Sequence, residues 1–139
     1  MPKLQQILIL SDSVLDEFTR AALEQQGFGV TVAHDAEKAY GQLLGSSFDL
    51  VIVDVARAQK GVEFVKRLRS EPKLSRTRVL TIAAWGTGQA TLALTEGADA
   101  FEAKPLNPDR LVVAVERLLR PKAVRTAVAS NLIGRIETH

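Results

Sequence analysis

The sequence predicts one α/β domain in which a parallel sheet is covered by helices on both faces. Five short apolar runs alternate with amphipathic segments along 139 residues, and the links between them are short. Strict alternation of this kind is typical of parallel strands joined by crossover helices. An apolar fraction of 46% and a charged fraction of 24% suit an ordinary globular domain, and the length suits one hydrophobic core.

Apolar runs mark the strands, and capping residues mark the ends of the helices. We expect strands at 7–10, 30–32, 49–54, 79–84 and 98–103. The run at 49–54 is the clearest buried strand, because it is apolar between an acid at each end. The first helix, which Gly27 closes, should bury a stripe of Val14, Phe18 and Ala22, with Leu15 and Leu23 beside it.

Four further helices follow from apolar spacing and from capping signals. One spans 35–44, one carries Val62, Val65 and Leu68, and one runs over 89–96 and ends at Gly97. Asn107 and Pro108 open the last core helix, and Pro121 stops it. Its expected buried stripe is Leu111, Val115, Leu118 and Leu119.

Composition and charge exclude several classes of function. The chain has no cysteine, which removes disulfides, thiolate catalysis and cysteine-ligated zinc and fits a cytoplasmic location. No apolar run has the length of a membrane span. Residues 12–54 hold eight acids and two bases, a net charge of −6, whereas 60–78 hold seven bases and two acids, a net charge of +5. The basic stretch could attract an acidic partner or nucleic acid, and we favour the simpler interpretation of a solvated helix face and loop.

Two acids and a lysine converge if the sheet has the flavodoxin-like order 2-1-3-4-5. In such sheets ligands bind at the carboxyl ends of the strands, where strand order reverses. That point lies between strands 1 and 3. Asp12 comes just past the end of strand 1, Asp54 ends strand 3, and Lys104 follows strand 5. Adjacent carboxylates favour a hard cation such as Mg²⁺ between them, and an aspartate can attack phosphorus to give an acyl phosphate. The pattern therefore predicts phosphoryl transfer to an aspartate.

Three segments together resemble the receiver domains of two-component response regulators, from Ile7 to about Leu119. They are residues 7–12, 48–54 and 97–105. The resemblance implies that Asp54 is the phosphoacceptor, that Asp12, Asp54 and the Ala56 carbonyl bind Mg²⁺, and that Lys104 contacts the phosphoryl group. It also implies a cis peptide before Pro105 and places Ala83 and Phe101 at the switch positions.

The sequence departs from the receiver pattern at three places. Ser11 stands where receivers usually carry a second acid, so it offers only a water-mediated contact and the Mg²⁺ site should be weak. Ala83 stands where the family has a hydroxyl residue at the end of strand 4. The loop after Asp54 lacks the usual proline and is about one residue short, and Trp85 would crowd access to the pocket.

Simpler interpretations stay open for several of these residues. Asp12 could only cap the first helix, since Ser11 and Ser13 are equally able caps. Trp85 and Phe101 suit packing better than function. His34 should lie at a strand–helix junction without the partners of a catalytic or metal-binding histidine.

The predicted organisation is a receiver domain over 1–120 followed by a tail over 121–139. Val124, Val128, Leu132 and Ile136 recur at every fourth residue, which predicts an amphipathic helix. It would pack on the domain, pair with a second copy as a homodimer, or lead into a linker. These residues hold no helix-turn-helix or winged-helix module, so direct nucleic acid binding is not expected.

Two functions remain as hypotheses, and neither is that of an enzyme. The first is a signalling switch of a two-component phosphorelay in which Asp54 receives a phosphoryl group from a sensor histidine kinase or a phosphotransfer protein. The second is a degenerate receiver that acts as a phosphorylation-independent interaction or dimerisation module. Asp12, Asp54 and Lys104 favour the first, and Ser11 and Ala83 favour the second. A flavodoxin-like cofactor binder is the weakest reading, because the chain has no cofactor loop.

Overall fold

Strands and helices alternate throughout the part of the chain that the structure, a computed structural model, describes: residues 4–11, 16–54, 59–84, 88–104 and 106–120. The elements are β1 (Gln6–Leu10), α1 (Asp16–Gln25), β2 (Gly29–Ala33), α2 (Ala36–Gly45), β3 (Leu50–Asp54), α3 (Gln59–Ser70), β4 (Arg78–Ala84), α4 (Gln89–Thr95), β5 (Ala100–Lys104) and α5 (Pro108–Leu119). A short 3-10 helix, Pro72–Leu74, precedes β4. No helix within these ranges is both long and apolar enough to cross a membrane.

The five strands form one parallel sheet in the order β2-β1-β3-β4-β5. This order confirms the predicted flavodoxin-like fold. The crossover from β1 leads to β2 on one side, and the crossover from β2 passes across β1 to β3 on the other side, so strand order reverses between β1 and β3. Leu8 of β1 pairs with Val51 of β3, and Leu10 pairs with Val53. The carboxyl ends of these two strands therefore border the crevice in which this architecture builds its sites.

Two apolar cores, one on each face of the sheet, make the domain a three-layer sandwich. Alternate residues of a strand point to opposite faces, so strands that are apolar throughout fill both cores. One core combines the sheet with α2, α3 and α4 and includes Val51, Val53 and Leu68. The other combines it with α1 and α5 and includes Leu50 and Ile52. Because both faces are covered, the residues of β3 from Leu50 to Val53 have no exposed surface.

The predicted buried face of α1 is wrong by one residue. Phe18 is 84% exposed, whereas Thr19 is buried and Leu23 has no exposed surface. The buried face therefore includes positions 19 and 23. Because Thr19 is polar, the apolar pattern of the sequence did not indicate this face. Val14 of the expected stripe and its expected neighbour Leu15 lie outside the described residues.

Side-chain caps fix the helix ends near the sheet edges, largely as predicted. The Asp35 carboxylate accepts hydrogen bonds from the backbone N–H groups of residues 37 and 38 at the start of α2. Asn107 caps α5 in the same way, and Leu111 and Val115 are buried with Leu118 and Leu119 partly buried against the same core. β5 begins two residues later than expected, because the Ala98 N–H still closes α4 by donating to the Ala93 carbonyl.

Candidate functional site

Asp54 ends the central strand β3 with a carboxylate that is almost completely buried. The preceding four residues of the strand are fully buried, and the side chain of Asp54 is only 5% exposed. Burying a charged group is costly unless other groups satisfy it. The strand thus holds a carboxylate at the crevice in a position that demands a partner.

Lys104 supplies a partner from the end of β5. Its Nζ donates to Asp54 Oδ2 at 3.0 Å, and its side chain is 29% exposed. β4 lies between β3 and β5, so the ion pair bridges the end of β4, where Asp54 pairs in register with Ile82 and Lys104 pairs with Ala84. The structure therefore brings together two residues that are 50 positions apart in the sequence.

Ser11 follows β1 at the same edge and shares a cavity with Asp54. Ser11 is buried, and its N–H donates to the Ala33 carbonyl at 3.1 Å. His34, at the predicted strand–helix junction, donates from Nδ1 to the Ser11 carbonyl at 2.8 Å. This backbone contact is a partner that the sequence did not reveal. A cavity of about 480 Å³ opens beside Asp54 and Ser11 and extends between α2 and α3.

Charged residues of α2 and α3 form the outer wall of this cavity. Glu37, Glu63 and Arg67 line it together with the aromatic ring of Phe64. Arg67 Nη1 lies 2.6 Å from Glu37 Oε1, and this hydrogen bond raises the pKa of the Arg67 guanidinium. The same guanidinium stacks 3.7 Å from the ring centroid of Tyr40. No local sequence pattern marked these residues, because they meet only when the two helices pack.

The switch positions differ sharply in burial. Ala83 is buried at the end of β4, whereas Phe101 on the edge strand β5 is 41% exposed. Phe101 pairs in register with Thr81, two residues before Ala83, and belongs to neither core. The interpretation of Phe101 as a packing residue therefore gains no support from either core. Asp12, Ala56, Trp85 and Pro105 lie outside the described residues, as does the tail over 121–139.

The oxygen donors in the described part of the site are compatible with Mg²⁺ but do not form a complete set. Asp54 offers a carboxylate and Ser11 a hydroxyl, and hard cations prefer oxygen ligands. Within the described ranges no three Asp, Glu or His side chains converge on one point. The described residues Asp54 and Ser11 are therefore compatible with a hard cation but do not by themselves form a site for one.

The fold agrees with comparisons to known proteins. The family model described as response regulator receiver domain matches residues 7–116, and the chain belongs to this family. It is 36% identical to the transcriptional regulatory protein CpxR of Escherichia coli K12 over 116 residues, which cover 82% of this chain and 48% of that protein. It is 31% identical to the transcriptional regulatory protein FixJ of Bradyrhizobium diazoefficiens, with coverage of 93% and 64%.

A solved structure of similar size supports the same conclusion. The chemotaxis response regulator CheY4 of Vibrio cholerae superimposes with a TM-score of 0.75 at 26% identity, covering 84% of this chain and 99% of that one. By contrast, the chain spans about half the length of the first curated relatives that it matches. The comparisons therefore identify a receiver domain of two-component signalling.

Proposed function

We propose that this chain is a phosphoacceptor switch in which Asp54 receives a phosphoryl group from a histidine kinase or a phosphotransfer protein. The observation that carries the proposal is the buried carboxylate of Asp54 with the Lys104 ammonium 3.0 Å away at the carboxyl edge of the sheet. In the transfer, an Asp54 oxygen bonds to phosphorus while the bond from phosphorus to the donor nitrogen breaks. The product is an acyl phosphate on this chain.

Lys104 suits this reaction because it already lies at the acceptor. A transferring phosphoryl group spreads negative charge over its oxygens, and a fixed cation in a water-poor site offsets that charge effectively. The edge is water-poor because Asp54 and Ser11 are both buried. We assign to Lys104 the contact with the phosphoryl oxygen after transfer.

The proposal includes a weakly bound Mg²⁺ that would offset charge on the phosphoryl oxygens. Asp12, Asp54 and the backbone carbonyl of Ala56 would hold it, and Ser11 would contact it through water. A hydroxyl adds no charge to the site where a carboxylate would, so affinity should be lower than in a site with three acids.

A second function, a phosphorylation-independent interaction module, is favoured by Ala83. This residue is buried at the end of β4 and has no hydroxyl to donate to a phosphoryl oxygen. A modification shifts a conformational equilibrium only by its differential interaction with the two states. Without that donor, phosphorylation at Asp54 would be poorly coupled to the conformation of Phe101 on β5.

Only part of what the relatives do can be proposed for this chain. CpxR and FixJ are named as transcriptional regulators, but the chain covers only part of each. We propose that the chain shares their signal-receiving step, and we propose no direct contact with nucleic acid for it.

Reaction with acetyl phosphate tests which of the two functions holds. With Mg²⁺ present, we expect an adduct of one phosphoryl mass that is stable in acid and labile in base, and Asp54→Asn should abolish it. Fluorescence of Trp85, the only tryptophan, provides a second readout. If no donor and no divalent cation produces the adduct, the interaction module becomes the better account.

A further inference from the structure

A groove at the amino edge of the sheet, opposite Asp54, is lined by three bases. It has a volume of about 640 Å³ and lies between the end of α2, the start of β3, the segment before β4 and the end of α5. Its bases are Lys73, Arg76 and Arg78, and its acid is Asp49. The bases of the sequence segment 60–78 therefore do not all lie in this groove. Arg67, for example, pairs with Glu37 near the opposite edge of the sheet.

The charges in this groove are largely uncompensated in the described part of the chain. Lys73 and Arg76 are exposed and form no ion pair with a carboxylate in the described ranges. Arg78 lies 3.6 Å from Asp99 and its side chain remains 55% exposed. The Asp49 carboxylate accepts a hydrogen bond from the Gln6 N–H at 2.7 Å and keeps its charge, but it is one acid against three bases. A net positive groove remains.

A partly buried clasp around Arg69 holds the segment that carries these bases. The guanidinium of Arg69 donates to the carbonyls of Ser75, Thr77 and Gly97 at 3.1, 2.7 and 2.8 Å, and to Asp99 Oδ2 at 2.8 Å. Fixing the carbonyls of residues 75 and 77 fixes the backbone from which Arg76 projects. Rigid presentation lowers the entropy cost of binding. A ligand of this groove would therefore not have to order the backbone segment that carries its bases.

We infer that this groove binds an acidic segment of a partner protein that also carries apolar side chains. The bases would attract the segment, and the apolar surface that lies among them, including Leu44 at 43% exposed and the partly buried Leu118, would cover its apolar side chains. A nucleic acid backbone offers phosphates but no aliphatic groups for these leucines. The inference does not depend on the proposed function, because the groove lies at the opposite edge of the sheet from Asp54.

Fluorescence anisotropy with a short labelled peptide, in which glutamates flank leucines, tests the inference. We expect saturable binding that weakens with salt, and no binding of a control peptide with glutamine at each glutamate. The double substitution Lys73→Glu and Arg76→Glu should weaken binding by about tenfold or more, because each reversal replaces attraction by repulsion. Lys66→Glu, on the exposed face of α3, makes half of this charge change outside the groove and should alter affinity by less than about twofold.

Changes in amide chemical shifts on addition of the peptide show whether it binds in the groove or elsewhere on the domain. Changes confined to residues 44–48 and 73–78 would support the groove, with circular dichroism showing that each variant is folded. The inference is overturned if Lys66→Glu weakens binding as much as the double substitution, or if the glutamine peptide binds equally well. Tighter binding of a single-stranded oligonucleotide at the same salt concentration would also overturn it. Asp54→Asn should leave peptide affinity unchanged.

Discussion

The ion pair between Lys104 and Asp54 should contribute measurably to stability, and Lys104→Met removes it. Methionine keeps most of the apolar stem while it deletes the ammonium that lies 3.0 Å from Asp54 Oδ2. Removing one partner of a fully buried pair costs about 3–5 kcal/mol. Because the side chain of Lys104 is 29% exposed, we expect the lower cost of losing a charged hydrogen bond, about 1.5–3 kcal/mol.

A double-mutant cycle isolates the part of this cost that belongs to the pair. In an Asp54→Asn background the carboxylate charge is already gone, so Lys104→Met should cost less than about 1 kcal/mol. The difference between the two backgrounds is the coupling free energy, which we expect to be about 1–2 kcal/mol. Equilibrium unfolding in urea at neutral pH without divalent cations measures all four free energies of unfolding.

An exposed ion pair elsewhere provides the matched control. Arg20 and Glu24 pair on the surface of α1 at 2.7 Å, with both side chains about half exposed. Arg20→Met should cost only about 0.3–0.5 kcal/mol, and arginine and methionine have similar helix propensities. A coupling below about 0.5 kcal/mol for Lys104 and Asp54 would refute the reasoning that burial strengthens the pair.

Three further substitutions probe the metal site, the switch and the clasp. Ser11→Asp should tighten Mg²⁺ binding, measured by calorimetric titration, because it adds a carboxylate to a site of hard oxygen ligands; equal affinity in the two proteins would remove Ser11 from the site. Ala83→Thr should enlarge the amide chemical-shift changes that beryllofluoride produces in β4 and β5, because it supplies the missing donor; a large response in the unmodified protein would show that another group carries the coupling. Gly97→Ala should destabilise the protein by more than about 1 kcal/mol in urea unfolding, because φ is +118° and the new Cβ would lie 2.6 Å from the Arg69 side chain. Gly41→Ala, in open space within α2, should instead be neutral or stabilising by up to about 1 kcal/mol, and equal losses at both glycines would contradict the clasp.

The sequence was sufficient for the fold because strand and helix signals agreed at almost every element. Continuous apolar runs such as 49–54 indicate strands that are buried on both faces. Strict alternation of strands and helices leaves few possible topologies. The failure on α1 has the opposite cause. Phe18 is apolar but 84% exposed, and Thr19 is polar but buried, so residue type pointed to the wrong face.

The site was predictable to the extent that strand order determines it. Asp54 ends β3 and Lys104 ends β5, and these two strands flank β4. The order of the parallel strands alone therefore brings both side chains to the same edge of the sheet. The clasp around Arg69 was not predictable, because three of its four acceptors are backbone carbonyls, and carbonyl positions carry no signature in side-chain sequence. The wall formed by Arg67 and Glu37 depends likewise on helix packing.

The most direct test of the central claim is the position at which a phosphodonor modifies the chain. After reaction with acetyl phosphate and Mg²⁺, borohydride reduces an aspartyl phosphate to homoserine, and peptide sequencing by mass spectrometry locates that residue. The account predicts homoserine at position 54, in the peptide that contains β3, and unreacted aspartate at Asp12. Homoserine at Asp12, or at any acid other than Asp54, would contradict the account.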